Sequence, residues 1–155
     1  VGVVYNRVHD RDIYHFRGLG SLMPRYTAFV MIAFFASLGL PGFSAFVGEA
    51  FSLIGAFKSP SVNGALPYWM AVCGSVGVLL GAAYLLWTLQ RMFFGSLTLK
   101  GGEVWKSALT DLNLREVFSL FPLALLALVL GVMPSLVFDK VNDSVLALVH
   151  FIGMK

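Results

Sequence analysis

A single carboxylate, Glu49, sits in an apolar run over residues 28–57 that holds no other charged side chain. An ionisable group in hydrocarbon is costly, and such groups mark ion or proton pathways by default. Leu40-Pro41-Gly42 precedes it, with Ser37 and Ser44 on either side. A Pro-Gly pair interrupts a helix and frees backbone groups, which a bilayer tolerates only against protein or a wet cavity. The chemistry open to this constellation is proton exchange at Glu49 through a hydrated gap at the break. The bland alternatives are an acid paired with a basic residue on a neighbouring helix, and a simple proline kink. Ser37 and Ser44 are expected to satisfy freed backbone groups or hold water, although membrane serines commonly bond their own helix.

The elements that must position Glu49 follow from hydropathy. Apolar residues make up 58% of the chain and charged ones 12%, with a mean hydropathy of +0.82. A soluble domain carries about 25% charge, so the expected fold is an all-α polytopic transmembrane helix bundle with about three spans. They are predicted at 28–57, 68–94 and 117–138, all belonging to one membrane domain over residues 1–155. The first would be about 45 Å long as a straight helix, against a hydrocarbon core of about 30 Å, and is therefore predicted to break at Pro41-Gly42. The second opens on Tyr68-Trp69 and closes near Trp87 and Arg91, residues suited to the lipid–water interface. Its Gly77 and Gly81 have the spacing that lets another helix approach closely, within the chain or from a neighbour. Asn113 and Glu116 form a capping box ahead of the third span, where Pro122 is expected in the first turns. Residues 141–152 predict a short amphipathic helix at the interface or against a partner. The opening on Val1, inside the end of a hydrophobic segment, reads as the C-terminal portion of something longer.

Arg7, Arg11, Arg17 and Arg25 precede the first span, and Arg91, Lys100, Lys106 and Arg115 follow the second. The intervening loop has only Lys58, and the tail Lys140 and Lys155. The positive-inside rule then places residues 5–25 and 95–116 on the cytoplasmic side. No basic run dense enough for nucleic acid is present. His9, His15 and His150 lie outside the spans and are read as solvated loop residues, not metal ligands. Gly18-Leu19-Gly20 has no third glycine or preceding strand and is not a nucleotide fingerprint. Gln90-Arg91 reads as an interfacial anchor, and Trp105 as a residue at the membrane surface or against a partner. The lone Cys73 excludes an internal disulfide, and no Ser-His-Asp arrangement or carboxylate dyad supports soluble catalysis.

Three stretches carry a family resemblance: Ala36 to Glu49 (ASLGLPGFSAFVGE); Val3 to Asp12 (VVYNRVHDRD), with Gly18-Leu19 and Met23-Pro24; and Ala82 to Gly95 (AAYLLWTLQRMFFG). Together they resemble the antiporter-like, Mrp-type subunits of respiratory complex I, NADH:quinone oxidoreductase, in the branch of chain M and mitochondrial subunit 4. The resemblance implies the last three spans of a longer bundle, with Val1 to Val4 ending the one before. It also implies that Glu49 lies on a central proton axis, where related subunits carry lysine. By the same resemblance this chain holds no cofactor. NADH, flavin, iron–sulfur clusters and quinone are expected in partner subunits, and the expected partners are other membrane subunits, including antiporter-like neighbours, and the lipid bilayer. The expected location is the bacterial inner membrane, and the expected activity proton translocation coupled to electron transfer elsewhere. A cation/proton antiporter subunit and a passive membrane scaffold are the alternatives.

Overall fold

The computed structural model describes residues 2–62 and 66–153, the side chains of 60–62, 152 and 153 excepted. Val1, Lys155 and the side chain of Ile152, the last residue of the predicted tail helix, lie outside the described residues. The order is α1 (Gly2–Val8), a 3-10 turn (Ile13–His15), β1 (Phe16–Arg17), α2 (Leu19–Leu22), α3 (Pro24–Ser37), α4 (Ser44–Val62), α5 (Tyr68–Phe93), β2 (Thr98–Leu99), α6 (Gly102–Ala108), α7 (Leu114–Val132) and α8 (Ser135–Gly153). The fold is all-α, with one two-residue antiparallel pairing of β1 and β2 among the described residues.

The helices α5 and α7 are each long and apolar enough to cross a membrane. Their flanks stay bare, with Leu79, Leu80, Phe118 and Leu123 all exposed. Contiguous apolar surface of this kind belongs against lipid or further helices. The main buried cluster gathers the end of α5, β1 and the segments flanking α6. There Val4, Phe16, Leu19, Met23, Leu89, Phe93, Leu109 and Leu112 pack together beneath the β1–β2 pair.

That pairing joins Phe16 to Leu99 and Arg17 to Thr98. The two segments predicted to share a side of the membrane are thus hydrogen-bonded to each other. Trp105, half-buried, stacks on Phe16 at 5.3 Å within this platform, a contact the sequence reading did not name. His15 is likewise more than a solvated loop residue: its Nδ1 lies 2.7 Å from the Asp10 carboxylate and its Nε2 2.9 Å from Lys100 Nζ.

Helix boundaries depart from expectation in the second half. The capping box forms, with the Glu116 carboxylate accepting from the Asn113 N–H at 2.8 Å. It starts α7 at Leu114, which leaves Pro122 in the helix interior instead of its first turns. The helix stops at Val132, short of residue 138, because Pro134 follows and cannot continue it. The tail helix accordingly begins at Ser135, not 141, and touches the rest through Phe138, whose ring meets Phe51 edge-on at 5.5 Å.

Candidate functional site

The long first run is divided as its length required, but Pro41 is not what ends the helix. The end of α3 is a Schellman motif: the Leu40 N–H donates to the Phe35 carbonyl at 3.3 Å and the Gly39 N–H to the Ala36 carbonyl at 3.4 Å. Gly39 holds a left-handed φ of 61°, the conformation this motif needs and the one glycine adopts without steric cost. A β-turn follows at once. The Phe43 N–H donates to the Leu40 carbonyl at 3.0 Å, with Pro41 and then Gly42, at φ 97°, in the central positions. Pro first and a positive-φ glycine second is the signature of a type II turn. The helix α4 then starts at Ser44.

The break therefore satisfies much of its own backbone. Ser37 and Ser44 flank it as expected, Ser37 exposed and Ser44 half-buried, yet neither side chain makes a hydrogen bond among the described residues. Leu40 and Pro41 are exposed.

Glu49, half-buried on α4, returns its carboxylate to this break. It lies against Gly39 so closely that a methyl group at residue 39 would fall on its Oε2 atom. A carboxylate next to a Cβ-free, left-handed backbone position has access to that backbone which any other residue would block. From the opposite side α7 presses in. A Cβ on Gly131 would collide with the Gly42 carbonyl and the Phe43 backbone, so Gly131 is what lets α7 reach the turn. The ends of α3 and α7 and the start of α4 meet at this turn, Gly131 against Gly42 and Phe43 and Glu49 against Gly39. The sequence reading singled out Glu49 and the Pro-Gly pair, but not Gly39 or Gly131. The missed signal was Gly39 two residues before a proline, a helix C-terminal signature.

Gly77 and Gly81 are not at this site. Nothing among the described residues lies within 4 Å of a Cβ built on either. The glycine of α5 that packs internally is Gly74, against Leu53 of α4.

The remote end fixes the helices that form the site. Asp111, in the segment between α6 and α7, accepts from the backbone N–H groups of Arg25 and Tyr26 at 3.0 and 3.1 Å. It caps α3, whose own Met23 offers no side-chain cap. Burial pushes the Asp111 carboxyl up, but the amides of Arg25, Leu112 and Tyr26 and the Arg25 charge outweigh it and hold the group below its ordinary value. Arg7 donates to the Asp111 carbonyl at 3.1 Å and to the Glu116 carboxylate at 3.0 Å. Helices α1, α3 and α7 are tied together by these contacts.

Comparison with known proteins gives the family. Residues 1–81 match the family described as NADH:quinone oxidoreductase/Mrp antiporter, transmembrane. The chain belongs to that family. It is 41% identical over 97% of its length to NADH-quinone oxidoreductase subunit M of Rhodobacter capsulatus, covering 27% of that protein. It is 35% identical over 99% of its length to NADH-ubiquinone oxidoreductase chain 4 of Chondrus crispus, covering 29% of it. Subunit M of Rickettsia bellii is 37% identical over 94% of the chain. The chain thus spans little more than a quarter of the length of these curated relatives. The matched family segment includes the break, Gly39 and Glu49.

Proposed function

We propose that this chain is part of a proton-translocating membrane subunit of NADH:quinone oxidoreductase, with Glu49 as a proton-loading group. The observation that carries the reading is the placement of the only acid of the first apolar run against the Schellman-type break, in a member of this family. Protonation forms an O–H bond at a Glu49 carboxyl oxygen, and release breaks the same bond, with no other covalent change. The missing side chain at Gly39 lets that oxygen approach the backbone of the break, and the turn at Leu40-Pro41-Gly42 keeps α3 and α4 from joining into a continuous helix. Glu49 is the catalytic residue of this reading; Gly39 and Gly131 are positioning residues.

Oxidation of NADH and reduction of quinone, with their flavin and iron–sulfur clusters, belong on this reading to other subunits. Relatives named for NADH–quinone chemistry favour it over a free-standing cation/proton antiporter. The inner membrane is the corresponding location, with the β1–β2 platform on the cytoplasmic face, as the excess of Arg and Lys on that end supports. The test is assembly. The full-length protein carrying this sequence, tagged in its own cells, should co-migrate on native gels with rotenone-sensitive or piericidin-sensitive NADH:quinone activity. Its migration with a cation/proton exchange activity lacking NADH oxidation would overturn the reading in favour of the antiporter.

A further inference from the structure

Gln90 and Arg91, an interfacial anchor in the sequence reading, line a specific hollow. It encloses about 260 Å³ between the end of α5 and the segment leading into β1, and is lined by Tyr14, Phe16, Arg17, Trp87, Gln90 and Arg91. The Arg91 guanidinium stacks 4.4 Å from the centre of the Tyr14 ring and 5.3 Å from that of Trp87. The two rings meet edge-on at 6.2 Å. A stacked guanidinium keeps the in-plane N–H donors at its edge free for an oxyanion. Arg17 enters the same hollow from β1, its guanidinium packed beside Gly95.

Neither arginine has a carboxylate partner among the described residues, where the ion pairs are Arg7 with Glu116, His15 with Asp10 and Asp12, and Lys106 with Glu103. Both are exposed, as are Tyr14 and Trp87. Two uncompensated guanidiniums with a side-chain amide between aromatic rings make a phosphate-binding set. The helix α5 is long and apolar enough to cross a membrane, and Trp87 and Arg91 near its end are residue types suited to the level of lipid headgroups.

We propose that Arg17 and Arg91, with Gln90 and the Tyr14–Trp87 wall, bind the phosphate group of an anionic phospholipid in the adjacent leaflet. The site lies at the far end of the bundle from Glu49 and does not depend on the proton reading. Its place on the seam between the β1 segment and α5 lets one headgroup fasten the two.

The test uses the intact parent complex, reconstituted in phosphatidylcholine vesicles containing a phosphatidylglycerol with a photoreactive headgroup. Crosslinked peptides are mapped by mass spectrometry. Labelling of the peptides containing Tyr14 and Trp87 is expected, displaced by unlabelled phosphatidylglycerol and reduced roughly five-fold by each of Arg17→Gln and Arg91→Gln. Equal labelling by a photoreactive phosphatidylcholine, or labelling unchanged in both variants, would overturn the proposal. Displacement by inorganic phosphate together with loss of the phosphatidylglycerol preference would assign the hollow to free phosphate instead and overturn the lipid assignment. If the variants fail to assemble, the phosphatidylglycerol-against-phosphatidylcholine comparison on the wild-type complex decides alone.

Discussion

The Glu49 carboxylate rests on Gly39, a contact made possible because residue 39 has no side chain and holds a left-handed backbone. The acid on one helix is thereby set against the terminus of the preceding one. Sequence separates them by a turn and part of a helix; the fold brings them together.

Gly39→Ala should be harmful for two separable reasons. A left-handed non-glycine residue costs about 1–2 kcal/mol, and the added methyl displaces Glu49. The expected result is an assembled complex with lowered thermal stability and reduced proton pumping per NADH oxidised. Gly42→Ala carries the backbone cost without the collision, since a Cβ built on Gly42 meets nothing among the described residues within 4 Å. It should lower stability while leaving more of the pumping intact. Equal pumping in the two variants would remove the positioning role of Gly39.

Gly131→Ala should disturb the site from the other side. The atoms its methyl would meet are backbone atoms of Gly42 and Phe43, which cannot rotate away as a side chain can. Overpacking of this type costs roughly 1–3 kcal/mol. Thermal melting of the detergent-solubilised complex should show the loss, and it should exceed that of Leu130→Ala on the neighbouring face. A variant as stable as the wild type would mean that α7 does not approach the turn this closely.

The Arg7–Glu116 pair tests the platform. Its atoms are 3.0 Å apart, with the Arg7 side chain 11% exposed and that of Glu116 32%. Glu116 also serves the Asn113 amide. Glu116→Ala should therefore cost more than Arg7→Met, since it removes a helix cap of about 1 kcal/mol as well as the ion pair. A double-mutant cycle on melting temperature should give a coupling of roughly 0.5–1 kcal/mol between them; no coupling would show that the pair is not formed.

Asp111 predicts an acid-side dependence. Its carboxyl is held below the ordinary value in the folded chain, and the unfolded group titrates near pH ~3.9. Its contribution is fully present above the unfolded value and is lost as pH falls through the folded one. Stability of the wild type should thus drop below about pH 4, and Asp111→Asn should flatten that part of the curve. Asp10 adds to the slope in the same direction, because the Asp12 amide and the His15 ring lower its carboxyl. An identical acid slope in the Asn variant would contradict the capping role of Asp111.

Composition and run length were enough to make the chain an all-α membrane bundle, and the lone acid in a long apolar run is what singles Glu49 out as a candidate. Asn113 and Glu116 were legible because a capping box is a local signal. What sequence could not supply depended on distant partners. Asp111 caps α3 from a loop far along the chain, and Gly131 matters only through the backbone it touches. The stacking of Trp105 on Phe16 and the contact of His15 with Lys100 were not legible because nothing local announces the pairing of β1 with β2. Gly39 was within reach, but Pro41 and Gly42 drew the break to themselves. The proline pair forms the turn, while the glycine before it ends the helix.

The central claim is tested most directly by proton pumping per NADH oxidised in vesicles holding the intact parent complex, wild type against Glu49→Gln, with assembly verified on native gels. The amide keeps the shape of the side chain and cannot exchange the proton. Pumping lost or strongly reduced in a fully assembled complex is the predicted result. Unchanged pumping would contradict the account and leave Glu49 a structural acid at a helix break.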